Sequence, residues 1–266
     1  MNDDKKAYYE LNDNVLRFFY TYVYGKNSLI VTLGINNFYE AYVKESLITF
    51  ISHRFEEIVR SYLDNSKQIM DYDTGGAEFL LSLNHPYDKT AVTEGYKPNV
   101  ELCKRRLLPL GINFKECSNP KNIPFEDEMF DLMINRHGEF EQDEIYRLLK
   151  KDGIFITEQV GENNERDLVQ MVLPDIPKPF PNMNLTVQRK KFEEAGFKII
   201  RAEETYRPIT FYDIGAFVWF AHIIEWEFPN FSVSKCYENL LKMQDIIDKY
   251  GKVQGTIHRY LIVAQK

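Results

Sequence analysis

Asp71, Asp73 and Glu94, with Gly75 and Gly76 between them, are the residues of this chain whose types and spacing most plainly suggest chemistry. Ile69-Met70-Asp71-Tyr72 is a short apolar run carrying an acid near its end. Asp73-Thr74-Gly75-Gly76-Ala77 follows as a turn, and Phe79 to Leu83 reads as an apolar helix. Ala91-Val92-Thr93-Glu94-Gly95-Tyr96 then gives a second short strand that ends on an acid. Strand, glycine turn, helix, strand and acid, in that order, are how a parallel α/β sheet builds a nucleoside site. The glycines let backbone N–H groups approach a ligand closely, and a helix N-terminus attracts negative charge. The acid on the second strand can accept hydrogen bonds from two ribose hydroxyls. A Gly-Gly turn is common by itself; the acid at the end of the next strand makes the pattern specific.

These residues need a sheet to bring them together, and the hydrophobic pattern supplies one. Strands are expected near 68–72, 89–94, 113–116, 129–135 and 153–160, with helices near 76–84, 98–108 and 141–149. Such alternation argues for a parallel sheet covered on both faces. Right-handed crossovers then place every loop that follows a strand C-terminus along one edge. The turn at Asp71–Gly76, Glu94 and Asn135-Arg136-His137 converge there, as do Glu158 and Gln159 at the end of the fifth strand.

Upstream, residues 1–66 read mostly as helix. Phe38, Tyr42, Leu47, Phe50, Ile51, Phe55, Ile58 and Tyr62 recur at helical spacing, and the helix should stop near Asp64-Asn65. Leu16 to Tyr24 is crowded with aromatic residues, and Ser28 to Leu33 has the composition of a short strand. Downstream, Pro174, Pro177, Pro179 and Pro181 mark residues 171–187 as a connector. Gln188 to Ala195 reads as a helix stopped by Gly196, Lys198 to Glu203 as a strand and Phe211 to Trp226 as an aromatic helix. Ser232 to Tyr250 is a charged amphipathic helix, and Thr256 to Ala264 a final strand. Tyr212, Asp213, Trp219, His222 and Trp226 fall in this aromatic helix, where helical spacing favours core packing and where any substrate contacts beyond the sheet edge are first expected.

Four segments in this order resemble class I S-adenosylmethionine-dependent methyltransferases over residues 67–160, and more loosely over 188–266. Asp71-Tyr72-Asp73-Thr74-Gly75-Gly76-Ala77 is similar to the family's acid-x-Gly-x-Gly-x-Gly turn. Glu94 stands where the family has its ribose acid. Ile123-Pro124-Phe125 through Phe130-Asp131-Leu132 resembles its fourth-strand segment, and Leu148-Leu149-Lys150-Lys151-Asp152-Gly153 resembles the turn before its fifth strand. The chain departs from the pattern at two places: the family's first glycine is Asp73 and its third is Ala77.

The resemblance implies a Rossmann-like, mostly parallel sheet whose last strand is antiparallel and lies within it. It implies a cofactor domain over 67–266 with a helical insertion around 206–250, an N-terminal helical extension over 1–66 and an aromatic helical cap. It implies S-adenosylmethionine as cofactor. Asp71, Asp73, Thr74, Gly75, Gly76, Glu94, Gly95, Tyr96, Asn119 and Asn135 are then the expected cofactor contacts: Asp71 at the methionine end, Tyr96 against the adenine ring and Asn119 at its amino group. His137 and Arg136 are the expected catalytic pair, His137 as a proton acceptor near neutral pH and Arg136 as a partner for an acidic substrate or for Asp71. The aromatic supply in 10–60 and 206–231 is expected to wall an acceptor pocket.

Composition narrows the acceptor. Thirty-three basic against 40 acidic residues give a net charge of −7, which disfavours a general grip on nucleic acid. A small or medium organic acceptor is therefore the first expectation. An RNA base methyltransferase of the ribosomal-RNA guanine-N1 type comes second, and a non-catalytic binding protein with a decayed turn third. The three cysteines, Cys103, Cys117 and Cys236, have no metal-ligand spacing and suggest a reducing compartment. No apolar signal core and no run approaching about 20 apolar residues is present, so a cytoplasmic protein with no metal and no membrane span is expected, with a homodimer left open.

Overall fold

The computed structural model describes residues 49–266, with side chains from Arg54 onward. The expected helix at Leu16 to Tyr24, the strand at Ser28 to Leu33 and the helical positions Phe38, Tyr42 and Leu47 lie outside the described residues. The chain divides into two compact units, and residues 51–161, 182–205 and 259–266 form the one that carries the sheet edge of interest.

Its strands are β1 (Ile69–Tyr72), β2 (Thr90–Glu94), β3 (Asn113–Glu116), β4 (Phe130–Arg136) and β5 (Leu149–Val160). Together with β6 (Lys198–Phe211) and β7 (Val253–Gln265) they form one sheet of order β3-β2-β1-β4-β5-β7-β6. The pairs β2–β3, β1–β2, β1–β4 and β4–β5 are parallel, and β5–β7 is antiparallel from Ile154↔Gln265 to Val160↔Arg259. The last strand is thus antiparallel and internal, as expected. All four residues of β1 and all five of β2 are buried, as a parallel strand covered on both faces requires.

Alternation along the strands feeds two cores. Ile69, Val92, Leu132, Ile134, Ile156 and Leu261 pack on one face with residues of helices α1 (Thr49–Tyr62), α2 (Glu78–Ser82) and α3 (Lys97–Leu107). Met70, Tyr72, Met133, Phe155, Tyr260 and Ile262 pack on the other with α4 (Gln142–Leu148) and α6 (Leu185–Glu194); α5 (Arg166–Val172) belongs to the second unit. Odd and even positions of one strand therefore reach opposite layers, a consequence of the two-residue strand period.

Two sequence expectations need correcting here. The sixth strand runs to Phe211 rather than stopping at Glu203. It contains Pro208, which cannot donate to a ladder, and that is tolerated because β6 is an edge strand. The glycine turn opens a helix of only five residues, Glu78–Ser82. Its first residue is an acid that ion-pairs Arg106, so the helix N-terminus offers little attraction to a further anion.

The second unit comprises residues 162–181 and 206–258 among those described. Helix α7 (Ile214–Ile223) is shorter than the expected 211–226 span and is capped by Asp213, whose carboxylate accepts from the Ala216 N–H at 2.8 Å. Phe211, Phe217 and Phe228 interlock edge to face around it, which is the core role helical spacing suggested. Tyr212 and Trp226 are exposed at 71% and 57% and lie outside the helix. Helix α8 (Val233–Tyr250) matches its expected span. Residues 163–167 are stitched to 256–258 by Asp167, which accepts from Thr256 Oγ1 at 2.8 Å, and by Asn164, which accepts from the His258 N–H at 3.1 Å.

Candidate functional site

The chain leaves β1 toward β2 on one side of the sheet and later places β4 on the other side. The order reverses between β1 and β4, and a crevice opens at such a point beyond the strand C-termini. Asp71, the glycine turn, Glu94, Asn135, Arg136 and His137 all end up along this edge.

The turn after β1 is held by the chain's own hydrogen bonds. Asp73, Gly75 and Ala77 all have left-handed backbone angles, φ 58°, 65° and 63°. Asp tolerates that region better than most residues, Gly adopts it freely and Ala is strained there. The strain is held by cross-strand bonds. Thr74 N–H donates to Thr93 O at 3.1 Å, Asp73 N–H to Thr93 Oγ1 at 3.3 Å, and Arg106 Nη1 to Gly76 O at 2.8 Å. Thr74 Oγ1 donates to Asp71 Oδ2 at 2.5 Å. Among the described residues, a methyl group added at Gly75 would meet nothing within 4 Å.

Glu94 is 2% exposed, and its carboxylate ties the two turns together. Oε2 accepts from the Gly75 N–H at 2.7 Å and from Asn99 Nδ2 at 3.4 Å, while Oε1 accepts from the Gly95 and Tyr96 N–H groups at 2.8 Å each. Gly95 is required by a close backbone approach: a Cβ there would lie 2.5 Å from Cys117 O and 2.9 Å from Ser118 Cα. Both obstacles are backbone, so Gly95→Ala should lower stability by about 2 kcal/mol or more, read as a fall in melting temperature. A melt unchanged from the wild type would show that the Cys117 turn yields freely.

Asp71 is 6% exposed and its carboxyl is pushed up to about 7. Burial is the main cause; the Thr74 hydroxyl and Arg136 pull it back, and Asp73 and Glu94 push it further up. Asp73 is raised to about 6 by burial, then by the charge of Glu94 and a hydrogen bond to it that favours the protonated Asp73. The same side chain reaches the loop after β4, where a Cβ on Gly138 would fall 2.5 Å from Asp73 Oδ2.

Asn135 is wholly buried and its amide is engaged within the sheet. Nδ2 donates to Tyr72 O at 2.9 Å, and Oδ1 accepts from Gln159 Nε2 at 2.6 Å and from Thr157 Oγ1 at 3.2 Å. This network locks the ends of β1, β4 and β5 together, so the geometry supports a positioning role. On the opposite face Arg136 lies over the Phe79 ring, 5.2 Å from its centroid. His137, at φ 66°, donates its N–H to Glu158 O at 3.0 Å, and its Nε2 is 4.0 Å from Glu158 Oε1. Although 42% of the His137 side chain stays exposed, loss of surrounding water and the charges of Arg259 and Arg136 hold its imidazole well below the ordinary range. Glu158 is 5% exposed and is raised to about 7 by burial, against the opposing charges of Arg136 and Arg259. Glu158, like Asp71, is therefore able to exchange a proton near neutral pH. Its place at the end of β5 was legible in the sequence; its burial between two arginines was not.

Tyr96 caps α3 with a side chain that is 66% exposed. Asn119 folds its Oδ1 onto the Lys121 N–H at 3.0 Å, the geometry of a local turn. No cluster of His, Cys, Asp and Glu able to hold a metal occurs among the described residues. No helix among them is long and apolar enough to cross a membrane.

Comparison with known proteins places the fold. The chain is 29% identical over 109 residues to the phthiotriol/phenolphthiotriol dimycocerosates methyltransferase of Mycobacterium tuberculosis, a match covering 37% of this chain. The chain spans 40% of the length of the curated relatives it matches. No family model matches. Among solved structures, BH2331 of Bacillus halodurans, which carries a methyltransferase assignment, superposes with a TM-score of 0.55 at 14% identity over 80% of this chain and 99% of that one. The phosphoethanolamine N-methyltransferase 2 of Haemonchus contortus, solved with phosphomonomethylethanolamine and S-adenosylhomocysteine, superposes at 0.50 and 13% identity, over 80% of this chain and 53% of that one. The [4+2]-cyclase SpnF does so at 0.50 and 18% identity, over 80% of each. The chain has the class I methyltransferase fold. That one of these neighbours is a cyclase keeps fold and reaction separate.

Proposed function

We propose that this chain is an S-adenosylmethionine-dependent methyltransferase acting on a small or medium organic acceptor. The observation that carries the reading is the buried Glu94 carboxylate at the end of β2, braced beside a glycine turn that no described side chain crowds at Gly75, at the switch point of the sheet. The residues present fit the group. Glu94 would hold the ribose, the Gly75 backbone would lie against the nucleoside, and Asp71 would face the cationic methionine end. Asp73, Thr74, Gly76 and Gly95 shape the same edge, Tyr96 and Asn119 border it on the β2 and β3 side, and Asn135 fixes its geometry.

The bound cofactor supplies a methyl group on a sulfonium, which is already an excellent leaving group. The work left to the protein is orientation and, for an acceptor that must lose a proton, a base. Glu158 takes that role in our reading, with Arg136 and His137 beside it positioning the acceptor. The free cysteines Cys103, Cys117 and Cys236 suit a reducing cytoplasm.

Calorimetry on the purified chain should detect one site for S-adenosylmethionine, with a matching rise in melting temperature. Neither heat nor thermal shift at about millimolar ligand, well above the dissociation constants of working cofactor sites, would overturn the proposal.

A further inference from the structure

We infer that Asp73 sets the preference of this site for the positively charged sulfonium cofactor over its neutral thioether product, an inference that rests on the cofactor reading above. The side chain stands where the resembling family has a glycine, so a carboxyl projects where the family has only backbone. It extends in two directions at once. On one side Glu94, at the end of β2, is near enough for its charge to act on the Asp73 carboxyl. Its Oδ2 lies so close to Gly138, in the loop after β4, that a Cβ there would stand 2.5 Å away. Asp73 therefore crosses the strip above β1, between the ends of the two strands that flank it. A nucleoside ligand lying across this switch point passes over it.

Among the described residues, no cation is a leading influence on the Asp73 carboxyl. Burial and Glu94 are the influences on its carboxyl, and both disfavour the anion. Arg136 acts instead on Asp71 and Glu158 and rests on the Phe79 face. A cation arriving above β1 relieves this crowding of carboxylates. A neutral ligand of the same shape leaves it in place. S-adenosylmethionine and S-adenosylhomocysteine share the adenosine, the α-ammonium and the α-carboxylate. They differ by one methyl group and one positive charge at sulfur, so electrostatics is what separates them. Opposite charges in a partly buried site gain far more than in bulk water, enough for about a tenfold preference or more.

The test is calorimetric titration of the full chain with both ligands, for the wild type, Asp73→Asn and Asp73→Gly. Both replacements tolerate the left-handed backbone at this position, and a thermal melt of each variant checks its fold. The wild type should bind S-adenosylmethionine about tenfold tighter than S-adenosylhomocysteine. In both variants that ratio should fall toward one, through weaker binding of the sulfonium form with the thioether held or improved. An unchanged ratio overturns the inference. Equal losses for both ligands also overturn it, since they place Asp73 on the shared α-ammonium. Absence of binding by either ligand to the wild type overturns the cofactor reading itself and this inference with it.

Discussion

Replacing Glu94 with alanine should damage the protein twice, in stability and in ligand binding. The carboxylate accepts from three backbone N–H groups, those of Gly75, Gly95 and Tyr96, in a place that is 2% exposed. Removing it leaves those donors to whatever water can enter, and each buried donor left unpaired costs about 1–3 kcal/mol. Partial hydration lowers the sum, so a loss of roughly 2–4 kcal/mol is expected, about 5–15 °C in melting temperature for a chain of this size. Affinity for S-adenosylmethionine should fall at least about tenfold through the lost charged hydrogen bonds to the ribose. Glu94→Gln keeps the shape but turns an amide N–H₂ toward N–H donors, and should lie between. Scanning fluorimetry and calorimetry separate the two effects. A stable Glu94→Ala variant with unaltered affinity would remove this residue from the site.

Asp71→Asn should do the reverse and make the protein more stable at neutral pH. The sign follows from the raised pKa. The folded carboxyl titrates at about 7 against an ordinary 3.8, so between those values the folded state holds more protons than the unfolded one. Stability then falls as pH rises through that window. Asparagine removes the titration while still accepting from Thr74 Oγ1. Its gain should be absent below about pH 4, grow toward pH 7 and then level off. The plateau should be on the order of 2–4 kcal/mol, since each pH unit of that window contributes about 1.4 kcal/mol. Melts of both proteins at pH 5 and pH 8 measure it. The wild type should also melt higher at pH 5.5 than at pH 8, since Asp73 and Glu158 are raised in the same direction and together with Asp71 outweigh the depressed His137, which acts with the opposite sign. A gain equal at both pH values would show that packing, and not charge, distinguishes the variant. Stability gained at the expense of a working site is the usual trade.

Much of the frame was legible because it rests on short-range patterns. Ile69-Met70 and Ala91-Val92 are apolar runs bounded by Gly and acid, and they became fully buried parallel strands within a residue of their expected limits. The turn and Glu94 were legible for the same reason, since their spacing alone puts them on one edge. What the sequence hid depends on neighbours distant in the chain. The sixth strand reads as Lys198 to Glu203, and its continuation through Pro208 depends on β6 being an edge. Asn135 reads as a ligand contact, while the engagement of its amide by Tyr72, Thr157 and Gln159 is invisible in the sequence. His137 reads as the base from its position alone, and the loss of water that lowers its pKa, with Arg259 and Arg136, is set by distant neighbours; Glu158 reads as lining, and the burial that raises it against the pull of the same arginines is equally remote. The helix Arg166–Val172 had no apolar period long enough to announce it.

The internal position of β7 has a consequence for how the chain is made. Among the described residues, strand β6 pairs only with β7, and β5 presents its outer edge to β7. While the ribosome is still producing residues 212–252, β5 has been made but carries an open row of backbone N–H and C=O groups, and the 14 residues of β6 have no ladder to join. Both are the kind of bare edge that invites pairing with another chain. Nascent chains stalled before Val253 should therefore engage chaperones and aggregate, and release of β7 should close both edges in one step.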